Sequence, residues 1–225
     1  MLVELGEEIS ADVNTRVRAL EYLIAQKAVL GVVETVPTYS ALLVYYDPSI
    51  VGYDGLCGQL AALAEQATTT AMPPAREVEL PCCYEGELGP DLEGAAQRLA
   101  LSADELVRLH ARAEYLVYFI GFTPGLPYMT GAPERLTIAR LDSPRVKVPA
   151  GSVAIGGIQC CIYPVESPGG FWLLGRTPVR LYDPQAAEPI LLKPGDRVRF
   201  RRIERREYDD VAERVASGRF RAVIR

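Results

Sequence analysis

The sequence has little of what most catalytic motifs require. It contains a single histidine, His110, and a single tryptophan. A Ser-His-Asp triad would therefore depend on that one imidazole, and the HExxH spacing of zinc peptidases is absent. The GxxxxGK[ST], GxGxxG and GxSxG patterns are absent as well, so general motifs indicate neither a nucleotide cradle nor a nucleophile elbow. No metal site is expected.

Long apolar runs and an excess of positive charge are also missing. No stretch approaches the roughly 20 apolar residues of a membrane span, and MLVELGEEIS turns acidic too early for a signal peptide. These features predict a cytoplasmic protein that does not bind a membrane. The formal net charge of −5 argues against nucleic acid as a partner.

The charge is unevenly distributed along the chain. Residues 1–80 carry 11 acidic and 4 basic side chains, whereas residues 81–225 carry 18 acidic and 20 basic ones. The difference favours two domains and places any anion-binding surface in the second.

The cysteines do not form a metal-binding or disulfide pattern. There are five, and four of them stand in adjacent pairs, Cys82-Cys83 and Cys160-Cys161, within apolar runs. The C-x2-4-C spacing of zinc sites is absent. The pattern predicts buried or half-buried free thiols, with a redox or metal role as the alternative.

The sequence pattern of the first third of the chain predicts an α+β domain. Its apolar periodicities predict the element order β-α-β-β-α-β over residues 1–84, with the last strand at 76–83. That order is typical of a ferredoxin-like fold with a four-stranded antiparallel sheet. Residues 85–113 then read as a helical linker between domains, with Asp91 and Ser102 as predicted N-caps and Glu105 completing a capping box.

Residues 114–225 change to short β-rich runs separated by glycine and proline turns. Such spacing is typical of a β-barrel or β-sandwich. Within this region GFTPGLPYM, residues 121–129, follows the apolar run YLVYFI. Its two glycines and two prolines end the strand, and the segment is interpreted either as a turn packed on the core or as the wall of a pocket.

Several charged residues are candidates for chemistry. His110 is either a helix C-cap or a general base. Arg145 and Lys147 share one face of a predicted strand, and Glu166 and Arg176 flank a Ser-Pro-Gly-Gly turn. Arginine forks fit carboxylate and phosphate groups, but ordinary surface charges remain the alternative.

Five motifs taken together resemble one known family. They are VPTYSALLVYYDP (36–48), CCYEGELGPDLEGAA (82–96), EYLVYFIGFTPGLPYMTG (114–131), SPRVKVPAGSVAIGG (143–157) and IYPVESPGGFWLLGRTP (162–178). In this order they are similar to the allophanate hydrolase subunit 1 family, also called KipI-like and associated with the B subunit of prokaryotic 5-oxoprolinase.

The resemblance implies a fold, an activity and partners. The expected fold is an N-terminal α+β domain followed by a cyclophilin-like β-barrel. The expected activity is that of one component of an ATP-dependent complex that opens 5-oxo-L-proline to L-glutamate. Its partners would be a protein like the C subunit of 5-oxoprolinase and a LamB/YcsF-like A subunit. ATP would be bound by this chain or shared with its partner.

The family also leaves alternatives to this activity. One is a KipI-like inhibitor of a sensor histidine kinase. Another is a component of an allophanate hydrolase or other amide hydrolase. By fold analogy alone, a prolyl isomerase is a third.

Site residues follow as a hypothesis from this resemblance. His110 and Glu166 are expected to transfer protons. The expected substrate- or phosphate-binding residues are Arg145, Lys147, Arg176, Tyr128, Gln159, Gly125, Gly151 and Gly170.

Overall fold

A computed structural model describes residues 1–220 and 222–225. The chain divides into two compact units, Met1–Pro74 and Ala75–Arg225. The expected α+β class with two domains and a C-terminal barrel is confirmed. The boundary lies ten residues before the predicted end of the first domain at residue 84.

The first unit is a small three-stranded sheet with two helices. Its sheet is antiparallel with the order β1-β3-β2. Apolar residues at helical spacing, among them Val17, Leu20, Leu56 and Leu60, pack against strand residues such as Leu42, which explains why these sequences fold as amphipathic helices. The elements are β1 (Leu2–Glu4), α1 (Ala11–Gln26), β2 (Val32–Pro37), β3 (Ala41–Tyr46) and α2 (Tyr53–Ala67).

The second unit contains a closed ring of seven strands. The ring runs β11-β8-β9-β6-β5-β12-β4 and closes where β4 pairs with β11. β13 adds to β4, and β7 and β10 form a separate two-stranded antiparallel sheet. The elements are β4 (Glu77–Cys83), α3 (Leu92–Arg98), α4 (Ala103–Arg112), β5 (Tyr115–Ile120), β6 (Pro127–Thr130), β7 (Arg145–Val148), β8 (Ser152–Gly156), β9 (Gln159–Ile162), β10 (Ser167–Gly169), β11 (Trp172–Arg176), β12 (Arg197–Ile203), α5 (Arg205–Ala216) and β13 (Val223–Ile224).

The placement of β4 corrects the predicted ferredoxin-like order. The strand was expected to be the fourth strand of the first sheet, but it pairs in parallel with β12 over seven residues, from Glu77↔Arg197 to Cys83↔Ile203. Val78, Leu80 and Cys82 are buried in the barrel core together with Val198 and Phe200. The first unit therefore keeps only β-α-β-β-α of the expected pattern.

The helices α3 and α4 belong to the second unit rather than to a linker between domains. They pack on β11 and β12 respectively. Ser102 caps α4 as predicted, since its hydroxyl accepts a hydrogen bond from the Glu105 backbone N–H. Asp91, the other predicted cap, has a different role: its carboxylate accepts hydrogen bonds from Arg145 and from the backbone N–H of Leu173.

The cysteines are free thiols, as predicted. Cys82, Cys83, Cys160 and Cys161 are buried and Cys57 is half-buried. Within residues 1–220 and 222–225 no helix is long and apolar enough to cross a membrane. The same residues contain no cluster of three or more His, Cys, Asp or Glu side chains that could hold a metal ion.

Candidate functional site

A groove of about 340 Å³ lies against the outer face of the barrel. Alternation along β9 and the residue that follows it produces the groove: Cys160 and Ile162 pack in the barrel core, whereas Cys161 and Tyr163 belong to an apolar cluster on the opposite face. The volume is within the range of small-molecule sites.

The walls of the groove are mainly apolar and include several aromatic rings. Tyr128, Tyr163 and Phe171 line it together with Leu126 and Cys161. The two-stranded sheet of β7 and β10 and the residues next to it border the groove with Pro144, Pro168, Gly169 and Gly170.

The two tyrosines of the groove are positioned and uncharged. Tyr128 is held in place by stacking on Phe119, with ring centroids 4.6 Å apart. Burial raises the pKa of both the Tyr128 and the Tyr163 hydroxyls. Both phenols are therefore neutral hydrogen-bonding groups at physiological pH.

Arg140 supplies the one charged side chain among the described residues that line the groove. Its guanidinium carbon lies 4.7 Å from the centroid of the Phe171 ring, and its Nη2 donates a hydrogen bond of 2.8 Å to Gln159. A cation on an aromatic face is oriented without being neutralised. The arrangement suits a small ligand that has an apolar body and one anionic group.

The segment GFTPGLPYM forms one wall of this groove. Leu126 N donates to Thr123 O at 3.1 Å, and Pro124 followed by Gly125 at φ +80° gives the signature of a type II turn. Phe122 adopts φ +65° although it is not glycine, and it stands 64% exposed at the groove. Such backbone strain is typical of functional sites.

His110 lies in the barrel core rather than in the groove. It is fully buried, with Nδ1 2.9 Å from the Tyr84 hydroxyl and Nε2 3.6 Å from Cys160 Sγ, and its ring stacks on Phe200. Burial lowers the pKa of His110 to about 3, so the imidazole is neutral at physiological pH. This environment supports neither the charged C-cap nor proton transfer to a ligand in the groove.

Three other predicted charged residues are already paired. Arg145 lies 2.5 Å from the Asp91 carboxylate. Lys147 and Glu166 form an ion pair of 3.0 Å in which both side chains are exposed. The shared strand face that was predicted for Arg145 and Lys147 therefore leads to two separate ion pairs rather than to one anion site.

Three of the remaining predicted residues belong to the groove or support it. Tyr128 and Gly170 line it, and Gln159 orients Arg140. Sequence reasoning missed Arg140 itself, because the surrounding LTIARLDS carries no motif that distinguishes this arginine from a surface charge.

The last three predicted residues lie elsewhere in the barrel unit. Gly125 is in the type II turn. Gly151 and Arg176 lie beside a second cavity. The predicted residues are therefore spread over the barrel core, two ion pairs, the groove and the surroundings of a second cavity rather than gathered in one site.

Comparison with known proteins identifies the family. Residues 1–192 match the model of the carboxyltransferase domain, subdomain C and D. The chain is 39% identical to the 5-oxoprolinase B subunit of Bacillus subtilis (strain 168) over 92% of this chain and 91% of that protein. It is 50% identical to the 5-oxoprolinase B subunit of Escherichia coli O157:H7 over 57% of this chain and 59% of that one.

The solved structures agree with this relationship. The crystal structure of TTHA0988 superposes with a TM-score of 0.80 and 39% identity, covering 91% of this chain and 40% of that one. The chain thus spans less than half of TTHA0988 but nearly all of the Bacillus protein. It belongs to the carboxyltransferase subdomain C and D family and, within it, to the family of the 5-oxoprolinase B subunit.

Proposed function

We propose that the chain is the B subunit of an ATP-dependent 5-oxoprolinase complex, which opens 5-oxo-L-proline to L-glutamate with release of ADP and phosphate. The proposal is supported by the identity to relatives that are named as this subunit. In this proposal the chain acts in the cytoplasm with a protein like the C subunit of 5-oxoprolinase and with a LamB/YcsF-like A subunit.

The observation that carries the substrate assignment is the single guanidinium of Arg140 held over the Phe171 ring. 5-Oxoproline is a small five-membered lactam with one carboxylate. Its carboxylate would pair with Arg140, since arginine forks bind carboxylates in a bidentate manner. Its ring would lie on the walls formed by Tyr128, Tyr163 and Phe171. The neutral phenols would hydrogen-bond to the lactam amide.

The same groove is a poor match for a nucleoside triphosphate. Binding and transferring a phosphoryl group requires several cations around the phosphates, and among the described lining residues Arg140 is the one cation. We therefore assign the ATP phosphates to a partner protein or to a site shared with it. The groups that transfer protons would come from the same source, because neither His110 nor Glu166 lines the groove.

The test is a reconstitution with the two partner proteins. ADP release should depend on 5-oxoproline, and Arg140→Gln should raise KM for 5-oxoproline by about ten-fold or more, the cost of one charge-assisted contact. Lys147→Gln is the matched control, since it removes an exposed cation that is paired with Glu166. It should leave KM unchanged.

Two results would contradict the proposal. Unchanged KM in Arg140→Gln would remove the substrate from this groove while leaving the complex intact. A rate of ADP release that does not change when 5-oxoproline is added would contradict the proposed activity. Inhibition of a sensor histidine kinase by the same preparation would then favour the regulatory alternative.

A further inference from the structure

A second cavity, of about 320 Å³, lies in the barrel unit between rim loops and α5. Gly151, Thr177 and Tyr182 line it from the loops, and Tyr208 lines it from the helix. Most of the remaining lining is alanine, proline and valine. The lining therefore combines apolar side chains with the hydroxyl groups of Thr177, Tyr182 and Tyr208.

The Arg176 side chain lies next to Gly151, one of the residues that line the cavity. A Cβ placed on Gly151 would come within 3.2 Å of Arg176 Cγ, so the arginine side chain passes directly beside a lining residue. The Arg176 guanidinium also lies near the Tyr208 hydroxyl, where its charge and a hydrogen bond oppose the rise that burial causes in the pKa of that phenol. Two lining residues from different elements thus lie near the same arginine side chain.

Arg176 and its cross-strand neighbour both carry unsatisfied polar atoms. Arg176 on β11 is in register with Ser152 on β8, which places the two side chains on the same face of the sheet. Arg176 Nε and Ser152 Oγ are buried and find no hydrogen-bond partner within residues 1–220 and 222–225. Ser152 is only 1% exposed. Buried groups of this kind are costly unless a ligand or water satisfies them.

Among the described residues, Arg176 differs from two other partly buried arginines in its lack of a carboxylate partner. Arg76 and Arg145 each lie 2.5 Å from a carboxylate, that of Asp196 and that of Asp91. Across the part of the chain that the structure describes, Arg176 forms no such ion pair. The Arg176 guanidinium is therefore available to pair with an external anion.

We propose that Arg176, Ser152 and Tyr208 form an oxyanion site that binds the carboxylate or phosphate group of a small-molecule ligand lying in this cavity. Arg176 Nε and the two hydroxyls would donate hydrogen bonds to its oxygens. The apolar lining would take the body of the ligand.

The type II turn of GFTPGLPYM separates this site from the groove. A Cβ on Gly125 would meet Tyr182 at 3.2 Å and Pro164 at 3.7 Å, and both residues line the second cavity. The next residue, Leu126, lines the groove. Two ligand sites would therefore share one wall, and the oxyanion site would exist whether or not the complex hydrolyses 5-oxoproline.

The test is a titration of the 225-residue chain followed by amide NMR, with inorganic phosphate and acetate as separate probes. Saturable shifts are expected at the backbone amides of Gly151, Thr177 and Tyr208. Tighter binding of phosphate than of acetate would assign a phosphate group to the natural ligand, and the reverse order a carboxylate. Arg176→Gln should weaken binding by about ten-fold or more.

Arg180→Gln is the matched control for this titration. Arg180 lines the same cavity, but it is exposed and lies 3.4 Å from the Asp183 carboxylate, so its removal should change the affinity less than about two-fold. Equal losses in both variants would show a nonspecific charge effect and overturn the site. Absence of saturable shifts in the wild-type chain would do the same.

Two smaller substitutions guard against misfolding of Arg176→Gln. Tyr208→Phe and Ser152→Ala each remove one hydroxyl and preserve most of the packing. Each should weaken binding of the preferred probe about three- to ten-fold, the usual effect of one hydrogen bond. Unchanged affinity in both would reduce the site to Arg176 alone and reject the three-residue arrangement.

Discussion

The two adjacent cysteines of β9 face two regions of similar composition, which differ in burial, in charge and in whether their polar groups already have partners. Cys160 faces the core, where it lies 3.6 Å from His110 Nε2. Cys161 faces the groove that Arg140 and the aromatic walls line. Both regions combine aromatic rings, a thiol and a nitrogen-containing side chain, His110 inside and Arg140 outside. The inner one is closed and internally satisfied, whereas the outer one leaves a charge over an open volume.

This difference shows that residue type does not by itself mark a functional site. The inner region contains the one imidazole of the chain, yet burial keeps it neutral and encloses it between Tyr84 and Phe200. The outer region has an arginine whose charge is oriented but not neutralised. We expect substitutions on the inner face to change stability and substitutions on the outer face to change binding.

The largest effect should come from His110→Ala. The change leaves a cavity and removes the partner of the buried Tyr84 hydroxyl, which together should cost roughly 3–4 kcal/mol of unfolding free energy. The single tryptophan, Trp172, lies on β11, so its fluorescence in urea reports the barrel unit. Unchanged stability together with lost turnover in the complex would return His110 to a catalytic role and break the comparison.

Acid should destabilise the barrel through the same residue. The folded pKa of His110 is about 3, below the ordinary value of 6.5, so the unfolded chain binds a proton that the folded chain excludes. The stability contributed by the neutral imidazole is complete above pH 6.5 and is lost as the pH falls towards 3. Between pH 7 and pH 5 the loss should be about 2 kcal/mol.

The control for this pH effect is His110→Gln, measured by the same fluorescence assay. Acidic side chains contribute equally in both proteins, so the difference between the two pH profiles isolates the imidazole. Parallel profiles would mean that His110 is accessible to protons in the folded state.

Phe122→Gly should separate stability from binding on the outer face. Glycine adopts φ +65° without strain, which should gain about 1 kcal/mol in the unfolding free energy of the barrel. The same change removes an aromatic side chain from the groove, so 5-oxoproline should bind the complex several-fold more weakly. Loss of stability would show that the Phe122 ring packs for structure and not for a ligand.

The smallest effect is expected for Glu166→Gln. Its partner is the exposed Lys147, and exposed ion pairs contribute about 0.5 kcal/mol or less. Denaturation and steady-state turnover of the complex should both remain near the wild-type values. A loss of turnover of about a hundred-fold, the scale of general acid–base catalysis, would restore the predicted proton-transfer role of Glu166.

Local patterns predicted the local features of this fold. The helical spacing in residues 11–26, the Ser102 cap and the buried cysteine pairs all depend on near neighbours in the sequence. The pairing of β4 with β12 depends instead on strands far apart in the chain, Glu77–Cys83 and Arg197–Ile203. An apolar strand carries no mark of which sheet it joins.

The candidate site was predictable only in part for a similar reason. The glycines and prolines of GFTPGLPYM predict a rigid loop. Tyr128 and Gly170, both predicted as binding residues, line the groove that this loop borders. Arg140 gains its role from the ring of Phe171, which lies on a later segment of the chain. A catalytic role is predicted for His110 because it is the one histidine of the sequence. The rings of Tyr84 and Phe200 that enclose it come from distant parts of the chain, so its burial has no local signal.

The pairing of β4 with β12 has a consequence for the folding of the chain during its synthesis. During synthesis β4 leaves the ribosome early, yet both strands that flank it within the ring, β11 and β12, are made much later. The Met1–Pro74 unit has all the strands of its own sheet early and is free to fold first, whereas the barrel must wait with an unpaired strand exposed. A nascent chain stalled before residue 197 would therefore present β4 as an aggregation-prone edge, the stage at which a chaperone would be needed most.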